Sequence, residues 1–229
     1  MNKQLKLAAL TVLVLSVMAG GIAIYGNFIP GVNAAGKDST AVFDLQDHGG
    51  VFVMNPQTRG SSDLVRTVDN ISMNIDTTDL PIGAYSVWWV IFNNPAGCSD
   101  GECGENDVLP PNVNPAAEVS VLWATGGIVG PDRSGHFSAR LGVGKDAAPG
   151  QVLWGDGVTD PMGAEVHLIV RYHGPARWDD AETLKSQMYS FQGFCTPASS
   201  FDIGTDESAF SCYEPQAAMH MPSAGSMSP

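Results

Sequence analysis

The run Tyr85-Ser86-Val87-Trp88-Trp89-Val90-Ile91-Phe92 is apolar on both faces of an extended chain and rich in aromatic and β-branched side chains. Successive side chains of a strand point to opposite faces, so this run needs cover on both and belongs in the middle of a sheet. Leu80-Pro81-Ile82-Gly83 turns the chain into it, and Asn93-Asn94-Pro95 ends it. A stacking platform for sugars would use similar residues, but core packing is the more frequent use of such a stretch.

Around this segment the chain repeats a period of two. Ala41, Phe43 and Leu45 alternate with Asp44 and Gln46, and Gly49-Gly50 turns into Val51-Phe52-Val53-Met54, a hairpin pattern. Ile71, Met73 and Ile75 alternate with Asn70, Ser72, Asn74 and Asp76. Val119–Trp123 follows a loop from Ala96 to Pro115 and stops at a Gly126-Gly127 break. Phe137, Ala139 and Leu141 alternate with His136, Ser138 and Arg140, and Gln151–Trp154 is a short strand. In Ala164–His173, Val166, Leu168, Val170 and Tyr172 share one face, and Glu165, His167, Ile169, Arg171 and His173 the other. Beyond Pro175, Asp179 or Asp180 caps a helix over about 179–191, in which Leu184, Met188 and Phe191 recur at helical spacing. About eight short strands and one late helix predict an all-β protein. The expected form is an antiparallel β-sandwich, Ig-like or jelly-roll-like, with one short C-terminal helix; a barrel is the alternative.

Lys3 and Lys6 precede an apolar run from Leu7 to Tyr25, which is the pattern of an export signal. Val32-Asn33-Ala34 fits cleavage after Ala34. Left uncut, the run of about 19 residues is long enough for a membrane anchor. The expected organisation is therefore a signal or anchor at 1–34, one domain at 36–215, and a disordered tail at 216–229. Two of the 11 basic residues are the leader lysines, so the rest of the chain sets 9 basic against 24 acidic residues, a formal charge of −15. Such an acidic protein is not built for nucleic acid, and its expected contact with a membrane is confined to an uncleaved leader. Four cysteines behind an export signal predict two disulfides, Cys98 with Cys103 and Cys195 with Cys212. The expected location is periplasmic, secreted or cell-surface.

Two strands carry His-x3-Arg, as His136 with Arg140 and His167 with Arg171, the second extended by His173. If neighbours, they would gather imidazole and guanidinium groups able to bind an anionic ligand. Glu165, His167 and His136 form a candidate divalent-metal set, although His167 and His173 stand about 20 Å apart along an extended strand and do not share one ion. The simpler reading is a solvated sheet face. Asp100, Glu102, Glu105 and Asp107 crowd a loop that Cys98 and Cys103 would fix, a calcium-like set of hard oxygens without EF-hand spacing. Asp202, Asp206 and Glu207 are a weaker set of the same kind. Met219-His220-Met221 with Met227 offers soft ligands for cuprous copper.

P-loop, G-x-S-x-G, H-E-x-x-H and Rossmann motifs are absent. These readings predict an exported, non-enzymatic binding or structural module with a protein or small-molecule partner. A metal-binding exported protein using copper, zinc or calcium is the first alternative. A hydrolase assembled from strand histidines is the second; it requires a deep pocket holding at least two of His136, Arg140, His167, Arg171 and His173.

Overall fold

The computed structural model describes residues 36–47, 52–109, 113–145, 151–195 and 212–223. The leader, the Gly49-Gly50 turn, the carboxylates of 202–207 and the last six residues lie outside them. Among the described residues, no helix is long and apolar enough to cross a membrane.

Nine strands form one antiparallel sheet: β1 (Gly36–Asp47), β2 (Phe52–Thr67), β3 (Asn70–Thr77), β4 (Gly83–Phe92), β5 (Val119–Val129), β6 (Gly135–Gly142), β7 (Val152–Trp154), β8 (Glu165–Tyr172) and β9 (Tyr213–His220). Their order is β6-β3-β2-β1-β9-β8-β4-β5-β7. The sheet curls into a half-barrel, and the end of β5 returns toward β6, where a methyl placed on Gly127 would lie 3.3 Å from the Phe137 ring. A second sheet, which an Ig-like or jelly-roll-like sandwich requires, is not seen among the described residues; the curl of a single sheet encloses the core instead.

The alternation read from the sequence sorts side chains as a curled sheet needs. Ile71, Met73 and Ile75 of β3, Tyr85, Val87, Trp89 and Ile91 of β4, and Val166, Leu168 and Val170 of β8 fill the concave core. The other face of β4, with Trp88, Val90 and Phe92, enters a separate cluster on the convex side, with Cys98, Ala117, Val119 and Val121 and with Phe191 against it. The loop from Asn93 to Glu118 and the segment that carries the late helix supply this outer cover. That is why β4 is buried at all ten positions. The loop includes one helical turn, α1 (Glu105–Val108), and the late helix is α2 (Ala181–Tyr189), capped by Asp180, whose side chain accepts from Glu182 N and Thr183 N.

Three expectations need correction. Gly126-Gly127 is no break, since β5 runs through both residues. A Cβ at Gly126 would fall 2.2 Å from the Met188 carbonyl oxygen, so glycine is there to let α2 approach the strand. β2 continues well past Met54 to Thr67 and pairs with both β1 and β3. Pro56 escapes the usual bar on proline because Asn55 pairs with Asp44 and Thr58 with Phe43, leaving Pro56 in the bulge between them. Gln216 to His220, expected in the tail, belong instead to β9, which lies between β1 and β8 and joins the two halves of the sheet.

Candidate ligand-binding site

The polar face of β8 is not a solvated surface. Glu165, His167, Arg171 and His173 are all buried, because the outer loop and the α2 segment fold over them. His167 Nε2 pairs with Glu165 Oε1 at 2.7 Å, and Phe92 meets the imidazole edge-on at 4.9 Å. Arg171 forms an ion pair with Glu214 Oε1 and donates from Nε to the Phe191 carbonyl at 2.8 Å. Its guanidinium also stacks 4.0 Å from the Phe191 ring centroid. Glu214 is only 5% exposed, and its Oε2 has no hydrogen-bond partner among the described residues.

A bulge places Glu214 there. Val170 pairs with Gln216 and Tyr172 with Tyr213, so Glu214 and Pro215 stand opposite the single residue Arg171. Without the extra residue, Glu214 would follow Ala218 toward the concave core. The bulge reverses its face and also accommodates Pro215 in a central strand.

Above these groups lies a cavity of about 350 Å³. Trp88, Phe92, Trp154, Phe191 and Met219 supply apolar walls, while Glu102, Glu105, His167 and Glu214 are the ionisable groups that line it. The Cys98–Cys103 disulfide ties the rim. Asp107 holds the same loop from inside, accepting from Ser99 N at 2.8 Å, Gly104 N at 3.1 Å and Asn114 Nδ2 at 2.7 Å. Burial alone would raise its carboxyl, but the Asn114, Ser99 and Gly104 donors hold it below the usual aspartate range.

His173 lies deeper, beside the second disulfide, Cys195–Cys212. Ser86 Oγ accepts from the Trp88 indole at 2.7 Å and lies 2.7 Å from His173 Nε2, while Nδ1 lies 2.8 Å from the Gly193 carbonyl. The carbonyl can only accept, so Nδ1 carries the proton and the Ser86 hydroxyl donates to Nε2. Burial first, and the Arg171 charge second, push this imidazole down to about 3. His173 Nδ1 and the sulfurs of Cys195 and Cys212 lie within 4.8 Å of one another, a potential metal-donor set. As a disulfide the sulfurs are not thiolates, and Nδ1–H already donates to Gly193, so the set becomes a ligand set only on reduction.

The remaining candidates separate. Four strands lie between β6 and β8, so His136 and Arg140 do not join His167, Arg171 and His173, nor does His136 complete a metal set with Glu165 and His167. His136 instead pairs with Asp76 at 2.6 Å on an exposed face. Of the five residues named for a hydrolase pocket, only His167 lines the cavity. Asp100 and Glu102 are exposed while Asp107 is buried. With Glu105, they do not form a three-donor cluster among the described residues. Met219 and His220 point to opposite faces and cannot share a copper ion: Met219 lines the outer cavity, whereas His220 turns into the sheet's concave side.

There His220 Nε2 lies 2.9 Å from Ser62 Oγ, and Nδ1 lies 2.8 Å from Asp38 Oδ2. This Ser-His-Asp connectivity was invisible in the sequence, where the three residues are far apart. Ser62 and His220 have no exposed surface, so no substrate carbonyl reaches Oγ in this conformation, and the relay ties β9 to β1 and β2. Buried Arg66 adds to the tie, donating to the Pro161, Ala164, His220 and Met221 carbonyls at 2.7–3.3 Å. Comparison of the chain with protein-family models, with curated proteins and with solved structures returns no match.

Proposed function

We propose that this protein is an exported binding module that holds a small, largely apolar ligand in the outer cavity beside β8. The observation that carries the reading is the cavity itself: about 350 Å³, walled by aromatic and aliphatic side chains, with a few buried polar groups converging at its base. Ligand sites commonly have this size and composition. The outer loops take the place of a sandwich's second layer, and the cavity lies where that layer meets the sheet. Two disulfides, with a leader of export type at 7–25, support an oxidising location outside the cytoplasm.

Trp88 and Trp154 line the cavity, so intrinsic fluorescence reports occupancy. Titration with 4-phenyl-1-butanol should shift the emission saturably, and Ile169→Trp, which fills the cavity from its β8 wall, should abolish the shift while circular dichroism stays unchanged. An unaltered spectrum of the native protein up to millimolar probe would refute the reading. Expression with the intact leader should give a mature extracytoplasmic chain beginning at Ala35.

A further inference from the structure

Resting on the pocket reading, we infer that the ligand is an organic cation: an ammonium group on an apolar body, with the Glu214 carboxylate as its counter-charge. Glu214 spends Oε1 on Arg171, and Oε2 is buried without a donor among the described residues. Buried polar atoms in folded proteins are rarely left this way, and a carboxylate oxygen can only accept. Any group that pairs with it is therefore an N–H or O–H donor.

Charge selects between them. Glu102, Glu105 and Glu214 line the cavity, and no lysine or arginine lines it among the described residues. Glu165 adds a fourth carboxylate behind His167. The nearest cation, Arg171, is directed at Glu214, the Phe191 carbonyl and the Phe191 ring. An anionic ligand would meet the carboxylates without a free guanidinium to receive it. A neutral hydrocarbon would leave Oε2 unpaired. An ammonium supplies both the donor and the charge, and the partly exposed Trp154 ring of the lining can contact a cation as well as an apolar body. A bare divalent ion fits less well, because it needs several ligand atoms within about 2.0–2.6 Å, and Glu214 belongs to no three-donor cluster among the described residues.

The test compares 4-phenylbutylamine, 4-phenyl-1-butanol and 4-phenylbutyrate on the full chain with disulfides intact, by calorimetry and tryptophan fluorescence. The amine should bind at least about tenfold tighter than the alcohol, and the butyrate should be the weakest of the three. Glu214→Gln, which keeps an oxygen for Arg171 but replaces the acceptor with an amide, should weaken the amine by about tenfold to a hundredfold and leave the alcohol within about threefold. Equal affinity for amine and alcohol, or preference for butyrate, overturns the cation inference and leaves the pocket reading standing. Failure of all three probes removes the pocket reading and this inference with it. If Glu214→Gln does not fold, the decision passes to the amine-to-alcohol ratio on the native protein and to the rim variant Glu102→Gln/Glu105→Gln. An amine affinity that does not change in that rim variant refutes the role assigned to charge.

Discussion

Acidification should weaken this protein through His173. The imidazole is fully buried, satisfied at both nitrogens in its neutral form, and held near 3 by burial and by Arg171. In the unfolded chain it takes up a proton near 6.5, so between these values the unfolded state binds about one proton more than the native state. Stability is therefore complete above 6.5 and falls as the pH drops, by roughly 1.4 kcal/mol per pH unit. At pH 4.5, two units below the unfolded value, the loss is about 3 kcal/mol, a large share of the roughly 5–15 kcal/mol typical of a domain. His220, which is also lowered, chiefly by burial, acts in the same direction. Urea titrations at pH 7.5, 6.5, 5.5 and 4.5, followed by tryptophan fluorescence, measure the effect. His173→Gln is expected to lower stability at pH 7.5 through lost packing but to flatten the pH dependence by about one proton. Parallel stability curves for the native protein and the variant would refute the assignment, because carboxylates and other histidines titrate equally in both.

Other expectations follow from single contacts. Thiol titration of the denatured, unreduced protein should find no free cysteine, and Cys195→Ser/Cys212→Ser should cost about 3 kcal/mol in urea unfolding on the loop-entropy account. Ser62→Ala should destabilise by about 1–3 kcal/mol by leaving His220 Nε2 without its partner, and a fluorophosphonate probe should not label native Ser62; stoichiometric labelling would reopen the hydrolase reading. Gly126→Ala should lower Tm and separate α2 from β5, visible as altered Trp123 emission, since the Trp123 indole donates to the same Met188 carbonyl at 2.8 Å.

Strand periodicity was legible in the sequence because it records which side chains face the core: β3 and the apolar face of β8 follow it directly. What lies over the other face is not recorded. Arg171 reads as a surface residue until the Phe191 segment and β9 are placed on it. Glu214 carries no local signal at all, since the bulge that turns it outward depends on register with β8, and Pro215 argues against a strand. Likewise the two His-x3-Arg segments look alike yet have four strands between them, because chain order does not fix strand order in the sheet. The cysteine pairing needed no such information: the short spacing of Cys98 and Cys103 suggested it, and both bridges are present.

The position of β9 also dictates an order of events. β6, β3, β2 and β1 form one block and β8, β4, β5 and β7 another, and no strand except β9 hydrogen-bonds to both among the described residues. Until Tyr213–His220 has emerged, the blocks have no shared ladder, and Asp38 and Ser62 wait for an imidazole contributed by a residue more than 150 positions later. Contacts this distant in sequence form slowly. The ladder that joins the two blocks therefore closes only once β9 is present, an order compatible with the export proposal.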